Sequence, residues 1–269
     1  MKKLLAISTL LMFAASANAT TIVYNDFSDL SNVQTNGSAF GFGNALRLTN
    51  NYSQGGSAFI TNTISLNNQA SFSAKFTFQI TGSAGLGDGD GPGADGLVFA
   101  VQTVSNTAGG IGGGIGYQNL SNSVGIEFDT YNNGGQDGNN GNHVGINLDG
   151  NISSVVRANE ATRFNNDQIW TSWVDYNGLT DLLEVRVAND GIRSTNAFLS
   201  HTVDLEAILG SPNAFIGFTS GTGAGTGNHD ILSLEFRDDF NPVNVPAPGA
   251  LGLMLIGLAG IAARRKKVS

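Results

Sequence analysis

From residue 45 to residue 236 the chain repeats one pattern. Short runs with apolar side chains at every second position alternate with breaks of Gly, Asn, Ser and Asp. The clearest run is 71–81, where Phe72, Ala74, Phe76, Phe78 and Ile80 are separated by Ser73, Lys75, Thr77 and Gln79. A period of two puts those five apolar side chains on one face of an extended strand. The same reading predicts strands at 45–48, 57–64, 71–81, 96–104, 124–131, 143–148, 169–176, 182–188, 201–204, 214–220 and 229–236. Only 205–209 reads as a helical turn. Short strands bounded throughout by turn residues, with no internal repeat and no linker, predict an all-β fold, an antiparallel β-sandwich spanning residues 20–241.

The two ends break this pattern. Residues 1–19 read as a signal peptide: Lys2 and Lys3, an apolar run over 4–15, and the small-residue site Ala17-Asn18-Ala19. The competing reading is an N-terminal core helix. At the other end, the tail 242–269 holds a Pro-containing VPAP stretch, a run of fifteen small and apolar residues at 249–263, and the cluster Arg264-Arg265-Lys266-Lys267. The run is short for a spanning helix, which needs about 20 residues, and its basic flank orients the C-terminus inward.

Charge looks different once the ends are set aside. Six of the 13 basic residues (Lys2, Lys3, Arg264, Arg265, Lys266, Lys267) lie in the end segments and all 21 acidic residues lie between them, so the intervening domain keeps seven basic residues and a formal charge of −14. Such a surface repels nucleic acid and anionic polymers and suits cations and neutral partners. Cysteine is absent, so an exported fold must be held by its core rather than by disulfides, and bound metal is a further support open to it.

Candidate chemistry concentrates in the hairpin 124–147, VGIEFDTYNNGGQDGNNGNHVGIN. Alternation places Glu127, Asp129 and Tyr131 on one side of a strand and Ile126 and Phe128 on the other. Two carboxylates at successive same-face positions repel unless a cation lies between them. The Gly/Asn/Asp loop can offer oxygens to a hard ion, and His143 beside carboxylates suits a transition ion. The spacing alone is equally compatible with a solvated polar hairpin. Two neighbouring motifs carry less. In GDGDGPGADG (87–96), Pro92 occupies the fifth position of a would-be EF-hand loop and no Glu closes it; IGGGIG (111–116) lacks the Lys-Ser/Thr of a phosphate loop.

Four motifs in order resemble the legume-type (L-type) lectin family: ADGLVFAVQ (94–102), GGGIGY (112–117), GIEFDTYNN…D…NHVGIN (125–147) and NHDILSLEF (228–236). The tail resembles the PEP-CTERM sorting signal of exopolysaccharide-producing Gram-negative bacteria, with Ala247 where that signal usually has Glu; an ordinary C-terminal anchor is the alternative. The resemblance implies a concanavalin-like jelly roll. It also implies a transition ion, usually Mn²⁺, on Glu127, Asp129, Asp137 and His143, and Ca²⁺ on Asp129, the Tyr131 carbonyl, Asn133 and Asp137, with Asp137 the least securely aligned. For carbohydrate it implies Asp95, preceded by a cis peptide, as acceptor and Gly113, with Gly112 beside it, as amide donor. Asn133 would serve both calcium and sugar, Tyr131 would stack on the sugar, and Gly223 and Ala224 belong to a specificity loop at 221–227. Read from local sequence only, Asp95 could equally cap a turn and Tyr131 sit on a plain surface strand.

Together these readings give a secreted, metal-dependent carbohydrate-binding lectin at a bacterial surface or in its extracellular matrix. Its expected partners are a neutral glycan or exopolysaccharide and an exosortase-type processing enzyme. It would meet the membrane only through its tail, and a homo-oligomer stays open. The alternative is a structural, exopolysaccharide-associated surface protein. Glycoside hydrolases that share the sandwich carry an E-x-D-x-x-E strand; here Asn132 stands at the second Glu, so the residues argue against an enzyme.

Overall fold

The computed structural model describes residues 20–109 and 112–242. The expected signal peptide 1–19 and the expected membrane helix 249–263 lie outside the described residues. Among those described, no helix is long and apolar enough to cross a membrane.

Two eight-stranded antiparallel sheets face each other. The back sheet runs Leu199–Thr202, Leu182–Ala188, Ile169–Asn177, Phe72–Gly85, Gly225–Arg237, Ala45–Thr49 and Phe40–Phe42, with Thr21–Tyr24 also paired to Gly225–Arg237. The front sheet runs Val156–Asn159, His143–Leu148, Ser123–Asp129, Gly96–Gln102, Asn213–Gly221, Gly55–Ile60 and Val33–Gly37, with Ile64–Ser65 paired to Asn213–Gly221. This is the β-sandwich predicted from the alternation. The predicted helical turn is the helix Leu205–Leu209, capped by the Asp204 side chain, which accepts from Ala207 N–H at 3.0 Å.

The alternating run 72–80 supplies the back half of the core. Phe76 lies 5.3 Å from Phe99 and 5.1 Å from Phe218, ring centre to ring centre, and Phe78 lies 4.9 Å from Phe128. Such rings bury large apolar areas and, with the aliphatic side chains around them, drive the two sheets together. The outer face of the front sheet is covered as well. Phe59, Val98, Ala100, Ile115, Tyr117 and Leu120 form a second small core there. Gly96–Gln102 and Ser123–Asp129 are therefore buried along their whole length, including the acidic members of the second. Gly125 is part of this packing, because a β-carbon there would sit 2.8 Å from the Tyr117 ring.

Several differences from the sequence pattern have simple causes. The predicted strand 57–64 bends at 61–63 into Gly55–Ile60 and Ile64–Ser65, and each pairs with a different part of Asn213–Gly221. The predicted strand 124–131 stops at Asp129. There the Asp129 carboxylate accepts from Tyr131 N–H at 2.7 Å and Thr130 N–H turns to the Asp95 carbonyl at 3.0 Å. Tyr131 therefore lies past the strand and does not share a face with Glu127 and Asp129 through strand alternation, which corrects the expectation from period two.

The long strand Gly225–Arg237 joins the two poles of the sandwich. One end meets Gly85 at the loop end of the front sheet; the other meets Ser73, close to where the described chain ends. There Asp238 N–H donates to the Thr20 carbonyl at 3.1 Å and Asn241 N–H to Ser73 Oγ at 3.1 Å.

Candidate metal and carbohydrate site

Register builds the site. Asp129 pairs across the sheet with His143 on one side and Gly96 on the other, so the ends of three strands meet at one pole. Two residues back, Glu127 lies between Val98 and Gly145. A β-carbon on Gly145 would come 3.1 Å from Glu127 Oε1, so glycine there leaves room for the carboxylate.

Glu127, Asp129 and His143 are all buried and bring one ligand atom each within 4.8 Å of one another. His143 Nε2 lies 2.9 Å from Glu127 Oε1, while its Nδ1 is buried without a partner. Asn147 donates to Glu127 Oε2 at 2.5 Å and Ser154 to Oε1 at 3.4 Å. Asp137 is buried on the one-turn 3₁₀ helix Gly134–Asp137, where its carboxylate accepts from Asn133 N–H. It stands outside the tight trio, though close enough for its charge to act on Asp129.

Burial holds the Asp129 carboxyl well above the usual carboxylate range, and the Glu127 and Asp137 charges raise it further. The Asp137 carboxyl is also raised, chiefly by burial. Several acidic groups therefore share a dry site in which His143 is the one basic side chain of the trio. Together with the orphaned His143 nitrogen, this is the charge deficit that a divalent cation fits: carboxylates for a hard ion, an imidazole for a transition ion.

The peptide bond Ala94–Asp95 is cis, as the family resemblance implies. Asp95 is 5% exposed, with Oδ2 buried and unpartnered. Burial pushes its carboxyl up to about 6, and the Asp137 charge adds to the rise. Two glycines border it. A β-carbon on Gly113 would lie 3.8 Å from Asp95 Oδ1 and 3.6 Å from Asn133 Oδ1, and one on Gly223 would lie 3.8 Å from Asp95 Oδ2. Gly112 packs its carbonyl against Gly221. Tyr131 is half-buried just past Asp129, and Ala224 is the exposed tip of its loop, with its carbonyl accepting from Leu86 N–H at 2.9 Å. Asp95, Gly113, Asn133 and Gly223 are thus brought together from four separate stretches of chain.

One support was missed in the sequence. Ser220 Oγ donates to the Gly96 carbonyl at 2.7 Å and lies 3.2 Å from Thr49 Oγ1, which lies 2.7 Å from Nδ1 of His229. All three side chains are buried, and burial pulls the His229 imidazole down to about 4. Nothing local could have signalled these contacts, because Ser220 and His229, on consecutive strands, meet through Thr49 from a strand 171 residues before Ser220.

A family model described as the legume lectin domain matches residues 19–249. The chain belongs to the legume lectin family. The PEP-CTERM protein-sorting motif matches 244–266, which marks this lectin for export and surface sorting in bacteria. The lectin alpha chain of Lablab purpureus is 27% identical over 258 residues, 88% of this chain and 87% of its own length. The Arabidopsis thaliana L-type lectin-domain containing receptor kinase VIII.1 is 30% identical over 178 residues; the match spans 63% of this chain and only 24%, about a quarter, of the kinase. Among solved structures, lectin II from Ulex europaeus superposes with a TM-score of 0.69 at 23% identity, covering 82% of this chain and 98% of that one. The metal-free form of lectin I-B4 from Griffonia simplicifolia gives 0.68 at 26% identity, covering 81% and 98%. The relatives and solved structures matched in this way are lectins or proteins that contain a lectin domain.

Proposed function

We propose that the domain over residues 20–241 is an exported lectin that binds a neutral glycan and depends on divalent metal to do so. The observation that carries this reading is the unpartnered buried carboxylate oxygen of Asp95, bordered by Gly113 and Gly223 and one residue before Gly96, the register partner of Asp129 in the Glu127–Asp129–His143 trio. A sugar hydroxyl is the natural donor for that oxygen, and a backbone amide of the Gly112–Gly113 turn is a donor for a sugar oxygen. Asn133 offers both functions, and the Tyr131 ring offers a face to pyranose C–H groups.

Mn²⁺ or another transition ion fits Glu127, Asp129, Asp137 and His143; Ca²⁺ fits Asp129, the Tyr131 carbonyl, Asn133 and Asp137. Bound there, the ions would supply positive charge to the buried carboxylates. Asn147 and Ser154 fix Glu127, and Asn133 N–H fixes Asp137, so the chain itself orients the donors. The strong negative charge of the domain favours a neutral polymer over an anionic one. The sorting motif supports reading it as a lectin displayed at or released from a Gram-negative surface, where exopolysaccharide would be its ligand.

A glycan array probed with the metal-loaded chain tests the reading. Binding that EDTA abolishes and Ca²⁺ with Mn²⁺ restores is expected. Undiminished binding after complete metal stripping would overturn the metal requirement, and absence of binding to every glycan would overturn the lectin activity.

A further inference from the structure

The hairpin just before Asp95 is joined to the candidate metal loop by one carboxylate. The stretch 87–96, which does not fit an EF-hand, pairs Gly87–Asp88 with Gly91–Pro92 as a small antiparallel ribbon and then runs through Gly93 and Ala94 into Asp95. Half-buried Asp88 uses both of its oxygens. Oδ1 accepts from Asp90 N–H at 3.2 Å and closes the turn of its own hairpin, while Oδ2 accepts from Asn132 N–H at 2.8 Å. The hairpin itself is tied down, because the Pro92 carbonyl accepts from Arg163 Nη2 at 3.0 Å and from Asn165 Nδ2 at 3.3 Å. Arg163 Nε also lies 3.6 Å from Asp90 Oδ2. Asp88 therefore reaches Asn132 from a fixed base.

Glycine makes the approach possible. A β-carbon on Gly141 would come 1.8 Å from Asp88 Oδ2 and 2.9 Å from the Asn132 nitrogen, so the carboxylate lies in the gap between the two ends of the segment 132–141. What it grips there matters for the neighbouring residue. Asn132 N–H and the Tyr131 carbonyl belong to the same peptide unit, which is trans, so the two groups point in opposite directions. Holding the N–H toward Asp88 aims the Tyr131 carbonyl away from it. The peptide on the other side of Tyr131 is held in the same manner, its N–H donating to the Asp129 carboxylate at 2.7 Å. A negatively charged acceptor on an amide N–H also draws negative charge onto the amide oxygen, which strengthens that oxygen as a donor to a cation.

From these contacts we infer that Asp88 is a positioning residue for calcium, which aims and polarises the Tyr131 carbonyl through the Tyr131–Asn132 peptide without touching the ion. The inference rests on the metal-dependent carbohydrate-binding reading and deepens it by separating the two ions. The donors that fit a transition ion, Glu127, Asp129, Asp137 and His143, include no backbone carbonyl. Asp88 thus acts on calcium and leaves the transition ion alone. Because Asp88 and Asp95 sit on one tied-down stretch of chain, the same contact joins the calcium loop to the pocket.

The test titrates the full chain, stripped of metal and kept in mild detergent, first with Mn²⁺ alone and then with Ca²⁺ at saturating Mn²⁺. Asp88→Ala should weaken Ca²⁺ binding on the order of 10-fold, as loss of a partner behind a metal ligand does, and leave Mn²⁺ affinity unchanged. Asp88→Asn keeps an acceptor for Asn132 N–H without the charge, so it should recover part of the lost Ca²⁺ affinity. Glycan binding by Asp88→Ala should return at saturating Ca²⁺. Unchanged Ca²⁺ affinity in Asp88→Ala would overturn the inference while leaving the lectin reading intact. Equal losses for Ca²⁺ and Mn²⁺ would also overturn it, since a brace for the whole fold does not distinguish the ions. A wild-type chain that binds no Ca²⁺ would overturn both the inference and the calcium site on which it rests. If circular dichroism shows that Asp88→Ala does not fold, Asp88→Asn decides: a smaller loss confined to Ca²⁺ supports the role, and no loss overturns it.

Discussion

Gly113 and Asp95 face each other with just enough room for one methyl group, since a β-carbon on residue 113 would rest 3.8 Å from Asp95 Oδ1 without clashing with anything closer than 3.6 Å. Gly113→Ala should therefore fold, with a stability change within about 1 kcal/mol. It should lose glycan binding because the methyl occupies the space a sugar hydroxyl needs. Gly96 is the contrast. It has φ +127° and a β-carbon there would sit 2.2 Å from the Phe128 carbonyl oxygen, so Gly96→Ala should cost about 3 kcal/mol or more. Thermal melts and array binding on the two variants distinguish the pocket role from the backbone role; equal stability losses would contradict the assignment.

Asp95→Asn keeps the shape and removes the charge. It should lower glycan affinity on the order of 100-fold, the worth of charge-assisted hydrogen bonds to two hydroxyls. The metal content of the protein should stay the same, because Asp95 is outside the Glu127–Asp129–His143 trio. Elemental analysis beside a binding titration reads both quantities.

Glu127→Gln and His143→Gln should each weaken transition-ion binding on the order of 100-fold and abolish glycan binding at micromolar metal. High metal concentration should restore binding in part. A variant that binds glycan normally without metal would contradict the coupling between the trio and the pocket.

Metal-free protein has two opposed pH dependences. A carboxyl raised from 3.8 to about 6 on folding, as at Asp95, stabilises the fold fully below the lower value and loses that contribution as pH rises through the upper one. Asp129 and Asp137, also raised, act with the same sign. His229, lowered from 6.5 to about 4, contributes above the higher value and loses its contribution as pH falls through the lower one. With EDTA present, His229→Asn should make the melting temperature rise more on acidification from pH 6.5 to 4 than in the wild type. Asp95→Asn should shift the profile the other way. Parallel profiles for all three proteins would show that neither group titrates as its burial implies.

Much of this was legible in the sequence, and what was not has physical causes. The run from Phe72 to Ile80 announces a one-sided strand because every second side chain reaches the core. Glu127, Asp129 and His143 could be grouped from sequence because one hairpin register brings them together. The edge strands Val33–Gly37 and Phe40–Phe42 were missed because pairing on one side demands little of their side chains. Asp95 entered only through family resemblance, since what joins it to Asn133 is the meeting of separate loops. The Ser220–Thr49–His229 contacts were hidden because Thr49, which links the other two, comes from a strand far earlier in the chain, and such contacts leave no periodic trace.

The strand Gly225–Arg237 sets which way the molecule faces. Its thirteen residues span about 40 Å, from the loop beside Asp95 to the pole where Asp238 meets Thr20 and Asn241 meets Ser73. The sorting motif at 244–266 follows within a few residues of that far pole. A surface that held the chain by its sorting motif would be joined to the domain at the pole opposite Asp95, which would leave the candidate pocket at the free end.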